Sequence, residues 1–428
     1  MSATVAVRPA LRTIGAVVIG NALDWYDFAL YGYLAVTIGA VFFPAQSPWT
    51  SLLSSLAAFG SAYFVRPLGG IILAQLADQW GRRNTLILII ALMTLGTALI
   101  AFAPSYAAIG IAAPAIIVLS RLLQGFAAGG EFASATAYLI EAAPPSRRGL
   151  YGSWQLAGQG MAILLSGLAG SLVTRALGPE DFAAWGWRLP FVVGLVIGPI
   201  GYYLRLRLDE APAFLVERAR LAPGHSPLLE LARRYKRRVL LGFGLVIGGS
   251  AALYVLFVFM PTYAIRVLGL DLSAAFIAPV VAGLTVGVFC PILGLASDYL
   301  GRKGLLAISM AGLLVAPYPC FLWLQEGRSI TRLVLVEFAF GVIFSFSGGP
   351  FNAALGEIFP LRLRASGLGV AYNFAVALFG GLAPLIVAWL ILRTGDPLAP
   401  TYYVAACAFI GLTAALAWPA GDAVRETR

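Results

Sequence analysis

Charged residues are what this sequence has least of. Asp, Glu, Lys and Arg make up 11% of its 428 residues, against roughly 25% in soluble domains. That excludes a water-facing globular surface over most of the chain. Histidine is reduced to His225, in a polar loop. No Ser–His or Cys–His pair is on offer for nucleophilic catalysis, and a non-enzyme is expected. Cys290, Cys320 and Cys407 are far apart, in or near apolar stretches. They lack metal-ligand spacing and imply no disulfide framework, so no metal and no cofactor beyond a coupling proton is expected. A small-residue cleavage site is missing after the basic N-terminus. Two aspartates interrupt the apolar run there, which reads as a retained first helix rather than a signal peptide. The soluble signalling domain usual in a receptor is also missing.

What is present is apolar: 60% of the chain is hydrophobic. Runs of about 20 residues recur along it, each long enough to cross a bilayer core. They are continuous, without the period-two alternation of a barrel strand, so they are expected to be helices. With Gly, Pro and charge as punctuation, spans fall near 13–37, 52–77, 85–103, 111–141, 150–174, 187–205, 239–262, 273–297, 304–324, 331–355, 364–392 and 401–419. This predicts an all-α polytopic membrane protein of twelve helices: a six-helix bundle over 1–205, a central loop over 206–238, and a second six-helix bundle over 239–428. The net charge of +10 would suggest nucleic acid in a soluble protein. Here the arginines sit in short loops, and membrane orientation accounts for them better. With both termini cytoplasmic, 21 of the 29 basic residues fall inside, six outside and two within the membrane, as the positive-inside rule requires.

The two halves repeat. "DQWGRR" (Asp78–Arg83) returns 220 residues later as "DYLGRK" (Asp298–Lys303), and "EAAP" (Glu141–Pro144) returns after 216 residues as "EIFP" (Glu357–Pro360). Each pair occupies the same place in its half. A duplicated six-helix unit of parallel topology, with a substrate site near the midplane between the halves, is the architecture of the major facilitator superfamily. The loop "GLASDYLGRK" resembles that superfamily's signature through Gly294, Asp298, Gly301, Arg302 and Lys303; the first copy keeps Asp78, Arg82 and Arg83 but has Ala74 in place of the first glycine. These residues, with Glu141, Arg148, Glu357 and Arg364, are the candidate cytoplasmic gate, the acids and arginines pairing across helix ends. Orientation alone would explain the arginines, but not the spacing of aspartate and glycine.

Within the superfamily the chain resembles the metabolite:proton symporters, carriers of citrate, 2-oxoglutarate, shikimate and proline or betaine. The resemblance spans nearly the whole chain, through "GNALDWYDFALYGYLA", "FVRPLGG", "SRLLQGFAAGGEF", "EAAPPSRRGLYGSWQ", "WGWRLPF" and "GEIFPLRLRASG". "FGGLAPLIVAWL" and "RTGDPLAPTYY" are most similar to the citrate and tricarballylate branch. It implies proton-coupled symport of an organic carboxylate by alternating access in a bacterial cytoplasmic membrane, with a zwitterionic osmolyte or an aromatic acid such as shikimate as the alternative cargo. The expected partners are a small organic anion, protons and lipid, with no nucleic acid, and a monomer is expected.

The charges at membrane depth are the candidate site, because each costs several kcal/mol unless it faces a cavity or a partner. Asp24 and Asp27 lie three apart in span one and share a face with Asn21 and Tyr31. Asp27, the better match to the family's regular acid, is the first choice for the coupling proton, with Asp24 and Glu131 as further candidates; a permanent ion pair is the structural alternative. Arg66 and Arg121 match family arginines, and their forks suit a substrate carboxylate or simple internal neutralisation. Gln124, Gln155, Gln159, Asn352 and Asn373 complete the expected pocket, with Tyr31. Gly125–Gly129 reads as a close-packing face; Tyr254, Tyr263 and Tyr372 could complete the pocket from the second half, although tyrosines near span ends, as Tyr254 and Tyr263 are, more often serve as interface anchors. Arg188 reads as an interface charge. Glu337 lies in the outer part of span ten, and Pro227–Arg238 forms an amphipathic stretch with a basic face. In the expected cycle Asp27 holds an arginine when ionised and frees it for the substrate when protonated.

Overall fold

In hydrocarbon every backbone N–H and C=O must be satisfied within the protein, and a helix does this within one segment. The computed structural model describes residues 15, 19, 21–22, 25–80, 82–196, 227–360 and 363–418, and these form helices joined by short turns and loops, without strands. Nine of the described helices are long and apolar enough to cross a membrane, and a bent pair makes a tenth. Two shorter apolar helices, Ile87–Phe102 and Gly186–Val196, fall at two further expected positions.

The first half contains α1 (Trp25–Tyr33), α2 (Ala35–Phe42), α3 (Pro48–Trp80), α4 (Arg82–Phe102), α5 (Ala112–Ala128), α6 (Glu131–Ala142) and α7 (Arg148–Ala184), followed by α8 (Gly186–Val196). The second contains α9 (Lys236–Ala252), α10 (Ile277–Leu300), α11 (Arg302–Val315), α12 (Ile330–Ile358), α13 (Arg364–Ala375), α14 (Ala383–Thr394) and α15 (Ala399–Leu416). Of the central loop expected at 206–238, only the part from 227 is described, with a short helix at Pro227–Arg234; His225 lies outside the described residues, as does Asp24.

Four spans that read as continuous apolar runs are interrupted. Span one bends by 70° between α1 and α2. Span four breaks at Gly129–Gly130 into α5 and α6. After α9 the chain passes through a π-helical segment, Leu253–Val258, and between α13 and α14 through another, Val376–Gly381. Hydropathy sees only composition, so such breaks are invisible to it. π segments often accompany function.

Packing depends on bare backbone at two crossings. The α3–α5 contact brings Gly125 onto the backbone of Ala62 and Gly69 onto that of Phe126, so closely that a Cβ at either glycine would overlap its neighbour. The seam between the halves is built the same way: α7 packs along α10, and a Cβ on Gly160 would lie 2.7 Å from the Gly287 nitrogen.

The halves touch at both ends. At the end bearing the arginine-rich loops, the buried Asp298 carboxylate accepts hydrogen bonds from the backbone N–H of Gly149 (2.8 Å) and of Leu150 (3.0 Å). These are orphan donors of the first turn of α7, and that helix end favours a negative charge. Arg302 holds Asp298 at 2.9 Å and reaches Glu357 at 3.2 Å, while Arg148 adds its field at Glu357. Arg364 lies 3.9 Å from Glu141 and donates to the Gly356 carbonyl. Lys303 instead donates to the carbonyl of Trp418. Asp78, Arg82 and Arg83 lie on described helices, but their side chains are outside what is described. At the opposite end Gly32 meets Val258, Gly167 meets Pro279 and Val280, and Gly170 meets Phe276. The molecule is closed on both sides.

Asp298→Asn keeps one acceptor and loses the charge. A hydrogen bond to a charged group contributes about 1.5–3 kcal/mol, so the clamp should weaken by roughly one to two orders of magnitude in its closing equilibrium. The measurement is the rate of thiol labelling of a cysteine introduced at Ser153, which packs on Gly294 in the seam. Faster labelling is expected; an unchanged rate would assign closure to the Arg302–Glu357 and Arg364–Glu141 pairs alone.

Candidate functional site

Between the two closed ends lies a central cavity of about 30 Å³, measured as space for water centres, enough for only a couple of waters. Both halves line it. Trp25, Phe132, Leu156 and Gln159 come from the first; Ser250, Tyr254, Phe344, Ser347, Phe351 and Tyr372 come from the second. Aromatic contacts bridge the halves around it. Phe132 stacks on Tyr372, ring centroids 3.4 Å apart and nearly parallel. Tyr254 meets Tyr63 at 5.3 Å and Trp25 at 5.8 Å. Tyr254 is therefore a buried inter-half contact lining the cavity, which favours its pocket reading over that of an interface anchor: the π segment that carries it turns it inward.

The charged groups stand behind this aromatic wall. Arg66, on α3, lies over Tyr63 at 4.8 Å and Phe28 at 5.0 Å, and Tyr254, Tyr372 and Glu131 are close enough to act on it electrostatically. Arg121, on α5, is 0% exposed. Its guanidinium lies 4.0 Å over Tyr31 and 5.6 Å from Phe28, and none of its three nitrogens has a hydrogen-bond partner among the described residues. Asp27 acts on Arg121 through space, while its carboxylate is held from another side. Thr97 Oγ1 donates to the Asp27 carboxylate, and Gln124 Nε2 stands 3.5 Å from the same oxygen and 3.0 Å from Thr97 Oγ1. Thr97 itself lies one turn after Met93, whose carbonyl is 3.1 Å away.

The remaining candidates divide. Gln159 lines the cavity. Gln155 does not: its Oε1 accepts from Thr136 at 2.5 Å, and its backbone carbonyl accepts from Asn21 Nδ2 at 2.8 Å. Asn352 donates to the Gly152 carbonyl and Asn373 to the Gly129 carbonyl, both at 2.9 Å, so both tie the halves together outside the cavity lining. Tyr31 donates to the Ser55 carbonyl at 3.2 Å. Arg188 covers Trp187 and donates to the Ala103 carbonyl. Sequence reasoning missed Thr97 and the cavity residues Phe132, Phe344, Ser347 and Phe351. A lone threonine in a span normally bonds its own helix, and a phenylalanine there reads as lipid-facing, so neither carries a signal of its own.

Comparison with known proteins agrees with this architecture. Residues 17–384 match the family model described as Major Facilitator Superfamily. The chain is 38% identical over 405 residues to the citrate-proton symporter of Salmonella typhi, covering 94% of this chain and 93% of that one. It is 33% identical to the proline/betaine transporter of Escherichia coli strain K12, covering 94% and 82%. A solved D-xylose-proton symporter superposes with a TM-score of 0.74 at 19% identity, covering 95% and 96%, which is a likeness of fold.

Thr97 holds Asp27 in place as a donor, so the two should be energetically coupled. Thr97→Val should lower the thermal unfolding midpoint in detergent by removing a bond to a charged group, about 1.5–3 kcal/mol. In an Asp27→Asn background the same change should cost markedly less. Additive losses in the double-mutant cycle would mean that Thr97 merely bonds its own helix.

Proposed function

The chain belongs to the major facilitator superfamily, and on that premise we propose that it is a proton-coupled symporter of a small organic carboxylate, with a di- or tricarboxylate such as citrate favoured. The observation that carries the reading is the Arg121 guanidinium, buried within the membrane beside the pathway with aromatic faces around it and no hydrogen-bond acceptor among the described residues. A planar fork with five donors is suited to bidentate capture of a carboxylate. Arg66 stands behind Tyr254 and Tyr372 of the cavity wall and supplies a second cation for a second carboxylate. The citrate-proton symporter from Salmonella typhi supports the same choice of cargo.

Asp27 is the proposed proton site. Its ionised form is held by Thr97 and Gln124, and Gln124 lies one turn beyond Arg121 on α5. Protonation removes the field of Asp27 at Arg121 and leaves that arginine to an incoming anion. Asp24 and Glu131 are the further acids proposed for the proton path. Opening one end would separate Phe132 from Tyr372, and opening the other would separate Trp25 and Tyr63 from Tyr254. Alternating access would therefore expose the cavity to one side at a time.

The aromatic lining favours a second reading. Trp25, Phe132, Tyr254, Phe344, Phe351 and Tyr372 offer ring faces to a quaternary ammonium, and the proline/betaine relative agrees with that. Uptake into proteoliposomes decides between them. Citrate, succinate, 2-oxoglutarate, shikimate, proline and betaine are offered with and without an inward proton gradient. Gradient-driven accumulation of carboxylates is expected; accumulation of betaine or proline alone would reverse the assignment.

Two variants probe the roles. Asp27→Asn should abolish gradient-driven accumulation and spare substrate exchange, which needs no net proton movement. Arg121→Gln should weaken carboxylate binding by roughly ten- to a hundredfold, the worth of a hydrogen bond to a charge, while Arg121→Lys restores only part, because an ammonium lacks the fork. Substrate protection against thermal unfolding reads the affinity. Equal protection in folded wild type and both variants would move the anion site to Arg66.

A further inference from the structure

One buried acid has no place in this cycle. Glu337 lies on α12 on the same buried face as Leu333, Phe340 and Gly341, and it is 0% exposed. Neither of its carboxylate oxygens has a hydrogen-bond partner among the described residues. Its place is well defined. Gly341, one turn on, packs against Thr285 of α10. Tyr33 of α1 lies near enough to feel its charge and also meets the Phe276 ring edge-on at 6.4 Å. Phe276 in turn packs on Gly170 of α7. Glu337 thus lies where α1 and α7 of the first half meet α10 and α12 of the second. It is 20 residues from Glu357 on the same helix, about 30 Å at 1.5 Å per residue, and so at the end opposite the Asp298 clamp.

The described groups nearest it are neutral, and the polar side chains further along the elements around it are engaged elsewhere; Thr285 of α10 packs on Gly341, one turn away. α1 presents Tyr33, and α7 presents Ser166 beside that tyrosine. Further along α10, Cys290 is paired with Ser345, two turns from Glu337. Tyr254 of the Leu253–Val258 segment is turned toward Tyr63, and Tyr263 of the helix Met260–Arg266 accepts from Gln325 and lies in the field of Asp396 and Arg328. Ser309 of α11 is bonded to the Ile343 carbonyl and to Ser347. No cation among the described residues offsets a charge on Glu337. An ionised carboxylate there bears a desolvation cost of several kcal/mol with nothing to repay it. Asp27 differs, with Thr97, Gln124 and the field of Arg121 around it.

We propose that Glu337 is a second proton-binding site, which must be loaded for the seam opposite the Asp298 clamp to close. When that seam is open, the carboxylate meets water and takes one proton from it, forming an O–H bond. Closure then buries the neutral acid. Reopening returns the carboxyl to water, where it releases the proton. Low pH on that side therefore favours closure and high pH opposes it. The proposal rests on alternating access but does not require Asp27 to be the coupling site.

The test uses a cysteine introduced at Val280, which faces Gly167 in the closed seam, with the protein in lipid nanodiscs and no substrate. In wild type the labelling rate, corrected for thiol ionisation with an exposed reference cysteine, should fall as pH is lowered. Glu337→Gln and the apolar Glu337→Met should both label slowly at every pH. Asp27→Asn should label faster overall, since a neutral residue there opposes closure without substrate, but should keep the fall of rate as pH is lowered. A wild-type pH profile in either folded Glu337 variant overturns the proposal. A second readout is proton uptake on adding citrate to weakly buffered protein, which should fall by about one proton per molecule in Glu337→Gln. Unchanged uptake in the variant counts against Glu337. No uptake in wild type counts against the proposed citrate symport and leaves the labelling test standing.

Discussion

The closed form of this molecule hangs on a carboxylate from one half capping a helix of the other. Asp298 takes the first-turn N–H groups of α7, and Arg302 fixes the carboxylate from behind while reaching Glu357. The arrangement is directional: the donors are backbone, their positions fixed by the helix, so only one docking of the halves satisfies them. Two other inter-half bonds share this character. Asn352 and Asn373 donate to the Gly152 and Gly129 carbonyls, and both carbonyls belong to glycines at helix surfaces that a neighbour can approach. A seam of backbone contacts between small residues has little flexible side-chain material to rearrange. It is either docked or apart, as a switch between two access states requires.

Behind that seam, the cations of the first half are surrounded by rings. Arg121 over Tyr31 and Arg66 over Tyr63 and Phe28 each gain about 2 kcal/mol from a desolvated aromatic face. A lone buried charge costs more than that after relaxation. Rings therefore hold the arginines in place without satisfying them fully, and an anion of suitable shape has free energy to gain there. A strong ion pair at the same place would leave nothing for the substrate to improve. The second half contributes aromatic shape and hydroxyls to the cavity and, apart from Glu337, no buried acid near it among the described residues.

Much of this was legible in the sequence for a simple reason: hydropathy, loop charge and repeat offset are properties of composition and order. They located apolar spans, and the loop acids and arginines Glu141, Asp298, Arg302, Glu357 and Arg364 that the fold brings to one end. What composition cannot carry is the identity of a backbone partner. Asp298 and Arg302 stand out in their motif, but the N–H groups of Gly149 and Leu150 have no signature. The same blindness affects Asn352 and Asn373. Two asparagines in apolar helices suggest a polar pocket, and only their neighbours reveal glycine carbonyls across the seam. Tyr254 resembled a span-end anchor because a π segment shifts the helical phase without altering hydropathy.

The closed, nearly filled cavity bears on how leakage is avoided. A symporter must close with both ligands or with neither, and must resist closing with one. In the proposed cycle the unloaded form closes with Asp27 ionised, because Thr97 and Gln124 supply donors in place of a proton and Arg121 supplies a field. A proton without a substrate removes the charge those groups are arranged around and leaves Arg121 with neither partner nor compensating field, so that half-loaded state is the expensive one to bury. A substrate without a proton sets its carboxylate against an ionised Asp27 for the same arginine. Either single ligand therefore raises the energy of the closed form, and both together relieve it. On this account the coupling lies in what the closed seam will tolerate, and needs no signal passed between distant sites.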